Sequence, residues 1–305
     1  MTDLLSVNIA GMMMQKPVAL ASGILGYSTP IFQEMENSGA GAVVTKSVGV
    51  SPRIGYANPT IVQANGGVIN AMGLPNPGIN LFVEEVMHAK SVLTIPVIVS
   101  IYGYSSDEYS LVAQKSSKAG CDAIELNVSC PHVQYTGSEI GQNASLLKDV
   151  ITKVKNVTTK PVIVKLSPNV TDIVEIAEVA SKAGADAITL INTVRALAID
   201  IETKKPILTN IRGGLSGPAI KPIALRCIYD VAENLKIPII GCGGISDWCD
   251  AVQFLLAGAS AIQIGTAIAF QDYKIFQSIN KGISNYLKKK GYRSVNDIVG
   301  LAHRN

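Results

Sequence analysis

Two short patterns alternate along the chain. In the first, a proline leads into an apolar run, as in Lys16-Pro17-Val18-Ala19-Leu20, Ile95-Pro96-Val97-Ile98-Val99, Lys160-Pro161-Val162-Ile163-Val164 and Ile237-Pro238-Ile239-Ile240. In the second, a glycine follows a polar and apolar mixed stretch and opens another apolar run: Gly39 to Val43, Gly120 to Ile124, Gly184 to Ile188 and Gly258 to Ile262. Proline lacks an N–H and is tolerated at the first position of a strand. Glycine accepts the left-handed conformation that ends a helix. Short continuous apolar runs are what strands buried on both faces look like. The intervening segments, for example Asp172 to Lys182 and Ile220 to Leu235, repeat their apolar positions with helical spacing.

Four runs of each kind, alternating with helices, predict eight βα units. A parallel sheet closing on itself into a (β/α)8 barrel is the simplest architecture, with an open doubly wound sheet as the less regular alternative. The length of 305 residues suits one such barrel with insertions, read as a single domain over 1–305. The segment Val50 to Pro77 is rich in Gly, Asn and Pro and is expected to form a hairpin or loop over one mouth. The uncharged stretch Ala251 to Phe270 is long enough to span a bilayer, but Gly258, Gly265, Gln253 and Gln263 interrupt it. A helix followed by a buried strand explains it better.

Composition adds exclusions. Hydrophobic residues are 48% of the chain and charged residues 16%, which supports a deep core. A net charge of +3 with scattered basic residues is too small to point to a polyanion partner, so no nucleic acid is expected, and the Lys288-Lys289-Lys290 run reads as a solvated helix end. The five cysteines contain no CxxC pair, so free thiols in a reducing cytoplasm are expected and an iron–sulfur cluster on this chain is not. Cys121, Cys227 and Cys249 are read as small, buried and inert. His88 and His303 are read as surface or core residues, so no metal site is expected.

In barrels of this kind, functional residues stand at the C-terminal ends of the strands. Taken in order, the polar residues there are Ser22, Lys46 with Ser47, Ser100, Asn127 with Ser129 and Cys130, Lys165 with Ser167, Asn192 with Thr193, Gly241 to Gly244, and Gly265 with Thr266. The glycine loops after strands seven and eight leave backbone N–H groups open to a phosphate, although they could also simply make tight turns. Lys46 and Lys165 follow apolar runs and should enter a confined pocket. There they either hold an anionic ligand or pair with a carboxylate such as Glu125. Pro131 ends the fourth strand, so Cys130 opens a polar loop on the catalytic face, where a thiolate could act as nucleophile or base.

These residues resemble a known family. Ala21-Ser22-Gly23, Thr45-Lys46-Ser47, Asn70 to Gly78, Asn127-Val128-Ser129-Cys130-Pro131, Lys165-Leu166-Ser167 and Gly213 to Pro222 together resemble the dihydroorotate dehydrogenases. The likeness is greatest to the class 1B catalytic subunit that works with an NAD-linked electron-transfer partner. It implies FMN across the barrel mouth, with its phosphate on Gly243, Gly244, Gly265 and Thr266. Ser22, Lys46, Ser47, Asn127, Lys165, Ile191 and Gly217 would line the rest of the cofactor. Dihydroorotate would meet Lys46, the segment Asn70, Ala71, Met72, Gly73 and Leu74, and Asn127, Asn192 and Thr193.

The resemblance also implies Cys130 as the base that takes a proton from C5, while hydride passes from C6 to the flavin and Lys165 answers the negative charge there. It implies a partner subunit carrying FAD and an iron–sulfur cluster, a homodimer at the core of a heterotetramer, a cytoplasmic location and no membrane association. The segment Pro131 to Gly137, with His132-Val133-Gln134-Tyr135, departs from the family's commoner Asn-Val-Lys version. The competing readings are a dihydropyrimidine dehydrogenase-type flavin subunit, a fumarate-linked class 1A enzyme, a Schiff-base aldolase using Lys165 and a non-catalytic phosphate-ligand-binding barrel.

Overall fold

The computed structural model describes residues 4–128 and 140–303. Eight strands follow the two sequence patterns: β1 (Val18–Leu20), β2 (Ala42–Val44), β3 (Val97–Ile101), β4 (Ala123–Asn127), β5 (Val162–Leu166), β6 (Ala187–Leu190), β7 (Ile239–Cys242) and β8 (Ala261–Ile264). All eight neighbouring pairs are parallel and the sheet closes between β8 and β1. The sequence-predicted (β/α)8 barrel is therefore the observed fold. Nearly every strand residue is buried, because side chains of one face fill the barrel and those of the other meet the helices.

The outer helices are α1 (Thr29–Asn37), α2 (Ile79–Val92), α3 (Ser106–Lys118), α4 (Ala144–Lys155), α5 (Ile173–Lys182), α6 (Lys221–Asn234), α7 (Trp248–Ala257) and α8 (Lys274–Lys290). Side-chain caps start several of them: Asp172 accepts from the N–H groups of Val174 and Glu175, and Asn143 from those of Ser145 and Leu146. The helix-closing glycines carry a second device. The aspartate two residues after Gly120, Asp122, accepts from the N–H of Val97 at 2.7 Å and pairs with Lys90. Asp186, equally placed after Gly184, accepts from Val162 N–H at 2.7 Å and pairs with Lys155. Each aspartate thus satisfies the first donor of the preceding strand, just past the proline that cannot donate.

The stretch Ala251 to Phe270 divides into the end of α7, then β8 and the short helix Ile268–Gln271. Among the described residues, no helix is long and apolar enough to cross a membrane. Lys288 to Lys290 form the last turn of α8, which Gly291 ends in the left-handed conformation.

The Val50 to Pro77 insertion forms the expected hairpin, Ile61–Ala64 against Gly67–Asn70. It does not stand alone. A second insertion, after β6, supplies Val194–Leu197 and Arg212–Ser216, and the four strands make one antiparallel sheet over the C-terminal mouth. One thiol differs from expectation: Cys121 and Cys227 are buried, but Cys249 is exposed, because it faces outward in the first turn of α7 while its neighbour Asp250 turns in.

Candidate active site

The C-terminal ends of the barrel strands and the overlying sheet enclose a cavity of about 270 Å³. It collects residues that the chain keeps far apart: Ser22, Lys46, Ser47, Asn70, Met72, Gly73, Leu74, Asn127, Lys165, Ile191, Asn192, Thr193, Gly217, Gly243, Gly244, Gly265 and Thr266 all line it. Ala71 does not. It is fully buried beside Ile69 and Leu208 in a small core under the hairpin. Extended chain sends alternate side chains to opposite faces, so Asn70 and Met72 face the cavity and Ala71 faces away. Cys130 lies outside the described residues, as do Ser129 and the Pro131 to Gly137 segment.

The amide side of the cavity is a connected network. Asn127, on β4, donates through Nδ2 to Ser47 Oγ at 2.9 Å, and its Oδ1 accepts from Asn192 Nδ2 at 3.2 Å. Ser47 Oγ lies 2.9 Å from Ser100 Oγ on β3. Asn70 reaches the Gly214 carbonyl at 3.3 Å, which ties the hairpin to the second insertion. The network fixes the amide planes, so each presents a defined donor or acceptor edge to a ligand.

Lys46 is half-buried, with its ammonium 4.7 Å from the centre of the Tyr27 ring. Burial holds it below the usual lysine range. The Tyr27 hydroxyl donates to the Pro75 carbonyl, and burial pushes its pKa up to about 12, with Tyr102 adding to the shift.

Lys165 sits deeper, on β5, only 4% exposed. Its Nζ donates to Ser22 Oγ and to Gln263 Oε1, each at 3.2 Å, and stands 3.8 Å from Glu125 Oε1. Burial works against its charge, but Glu125 and Cys242 outweigh that and hold it above the usual lysine range. Lys165 is thus both ion-paired with Glu125 and part of the cavity lining. Cys242 is pushed up by burial.

At the far end the chain comes close to itself. Gly243 and Gly244 have φ of +124° and +82°. A Cβ on Gly244 would lie 2.7 Å from the Lys221 nitrogen and 2.9 Å from the Gly217 carbonyl oxygen. Among the described residues, the N–H groups of Gly244 and Thr266 have no acceptor. Lys221 and the Ser246 N–H both bond Asp250, which is 7% exposed and anchors the loop to α7. Open N–H groups beside a glycine cradle, at the mouth of strands seven and eight, fit a phosphate; the lysines and amides fit the ring system of a flavin and an anionic substrate.

Some lining residues escape a reading of strand ends. Gln263 lies within β8, and Ser216 comes from the second insertion. A polar residue within an apolar strand run was the available signal for Gln263, and likewise for Glu125.

Comparison with known proteins agrees with this arrangement. The family model described as dihydroorotate dehydrogenase matches residues 4–287. A Pyrococcus abyssi protein named dihydroorotate dehydrogenase B (NAD(+)), catalytic subunit, is 53% identical over 98% of this chain and 99% of its own. A protein of the same name from Methanocaldococcus jannaschii is 46% identical, covering 98% of both chains. Among solved structures, a dihydroorotate dehydrogenase from Eimeria tenella, crystallised with ferulenol, shares the fold with a TM-score of 0.85 at 24% identity, covering 99% of this chain and 89% of that one. With a family match across most of its length, near-full-length relatives at about half identity and a barrel mouth suited to a flavin, the chain belongs to the dihydroorotate dehydrogenase family.

Proposed function

We propose that this chain oxidises dihydroorotate to orotate on FMN bound across the barrel mouth, working as one domain in the cytoplasm. Electrons then pass to NAD through a partner subunit that carries FAD and an iron–sulfur cluster. The observation that carries this reading is the convergence of two lysines, three asparagines and a glycine cradle in one cavity. The relatives' name, a catalytic subunit of an NAD(+) enzyme, supports the partner.

FMN, when bound, supplies the hydride acceptor. The residues around it have separable tasks. Gly243, Gly244, Gly265 and Thr266 would hold the phosphate by backbone N–H groups, and Ser22, Ser47, Ile191 and Gly217 would line the rest. Lys46 would take the substrate carboxylate, since a half-buried cation gains most from an anionic partner. Asn70, Asn127, Asn192 and Thr193 would orient the pyrimidine ring, whose edge offers both donors and acceptors. The segment Met72 to Leu74 would close over it. Lys165 would stand as the cation where negative charge gathers at the cofactor. Cys130, by family resemblance, would remove the C5 proton, a task for its thiolate.

An anaerobic absorbance spectrum of the purified chain with FMN, taken before and after adding dihydroorotate, tests the proposal. Flavin bands that bleach on addition are the expected result. Bands that persist with dihydroorotate but bleach with another reduced pyrimidine would overturn the substrate, and a chain that binds no flavin would overturn the whole reading.

A further inference from the structure

Glu125 is a fully buried carboxylate in the middle of β4, with no exposed surface at all. Its Oε2 accepts from Thr189 Oγ1 at 3.0 Å and from Gln263 Nε2 at 2.8 Å. Among the described residues its Oε1 is buried without a hydrogen-bond partner, and it lies 3.8 Å from Lys165 Nζ. A carboxylate in this position is costly to bury, and leaving one oxygen unbonded adds to the cost. Packing does not require it, since a leucine would fill a similar volume in the barrel with no desolvation penalty.

Gln263 makes the arrangement directional. Its Nε2 donates to Glu125 while its Oε1 accepts from Lys165. The amide therefore cannot turn over without placing its NH2 against an ammonium and its oxygen against a carboxylate. Ser22 supplies another acceptor for Lys165 from the end of β1. Among the described residues, Glu125 on β4 and Cys242 at the end of β7 are titratable groups whose charge acts on Lys165. Burial pushes the Cys242 thiol up, and Glu125 is the carboxylate that faces Lys165 at 3.8 Å.

We infer that Glu125 is a positioning residue: the buried counter-charge that keeps the Lys165 ammonium charged and, through Gln263, holds its Nζ at the floor of the cavity. Glu125 acts through Lys165 and belongs to the layer beneath the cavity wall. The inference rests on the proposed flavin site only for what Lys165 then faces. Without Glu125, the burial that favours the uncharged amine would lose its carboxylate opponent at 3.8 Å. The cavity would then lose its deep cation over part of the working pH range.

The test is the titration of Lys165 in the full chain, with and without FMN. It is read from the lysine Cε resonance by NMR and assigned by its loss in Lys165→Met. Glu125→Gln keeps the shape and both accepted bonds but removes the charge, and should lower the Lys165 titration by about 1–3 units. Glu125→Asp draws the charge back by one methylene and should lower it part of the way, which serves if the glutamine variant does not fold. Thr189→Val removes a hydrogen bond from the same carboxylate without touching its charge, and should leave the titration where it is in the wild type. The inference is overturned if the glutamine and aspartate variants both titrate with the wild type, or if Thr189→Val moves Lys165 as far as Glu125→Gln does. If the wild type binds no flavin, the proposed function fails while the comparison of Lys165 titrations still stands.

Discussion

Gly244 offers the sharpest test of the phosphate cradle. An alanine there would have to hold φ near +82°, with its Cβ 2.7 Å from one backbone nitrogen and 2.9 Å from a backbone oxygen. Neither neighbour is a flexible side chain, so the loop itself must move. The strained conformation costs about 1–3 kcal/mol, against a typical folding stability of about 5–15 kcal/mol, so Gly244→Ala should fold. Moving the loop displaces the Gly244 N–H from any anion it serves. A hydrogen bond to a charged group is worth about 1.5–3 kcal/mol, which is roughly 10- to 150-fold in affinity at about 1.4 kcal/mol per tenfold.

The assay is a fluorescence titration of the flavin-free chain with FMN and, separately, with riboflavin, which lacks the phosphate. FMN affinity should fall by that factor while riboflavin affinity holds. Gly258→Ala is the control. Its Cβ would lie 2.3 Å from Ala232 Cβ, at φ +122°, on the turn that leads into the opposite end of β8. It should lower stability and leave the FMN preference alone. Equal losses for FMN and riboflavin, or an unchanged FMN affinity in Gly244→Ala, would refute the assignment of this loop to a phosphate.

Other consequences follow from the same geometry. Lys165→Met strands Glu125 in the core without its counter-charge and should cost about 3–5 kcal/mol in urea unfolding; the double variant Lys165→Met with Glu125→Gln should recover most of it. Ser47→Ala leaves Asn127 and Ser100 short of a partner and should cost about 1–3 kcal/mol, seen as a lower melting temperature. Lys46 binds an anion only when protonated, and burial lowers its titration. Orotate affinity, followed by flavin absorbance, should therefore be full below that lowered value and fall as pH rises through it, and Lys46→Met should remove the pH dependence. A thiolate base at Cys130 requires kcat to rise with pH toward the ordinary thiol pKa of about 8.5; a flat profile would rule that base out.

The repeated proline and glycine punctuation determined the eight βα units from sequence alone. It states the strand starts and helix ends locally, and eight regular units favour a closed barrel over an open doubly wound sheet for strands that are apolar on both faces. Strand ends were legible for the same reason, which makes Ser22, Lys46, Asn127 and Lys165 visible in the sequence itself. What the tertiary structure decided was long-range. The pairing of Gly67–Asn70 with Arg212–Ser216 joins segments nearly 150 residues apart, and no local pattern marks that partnership. The direction of Ala71 depended on a hairpin core completed by Leu208. The outward turn of Cys249 depended on Asp250 being drawn in to Lys221. Glu125 and Gln263 read in sequence as polar interruptions of apolar strands. Only closing the barrel set them around Lys165, because sequence records which residues are polar, whereas burial and distance decide which charges must answer one another.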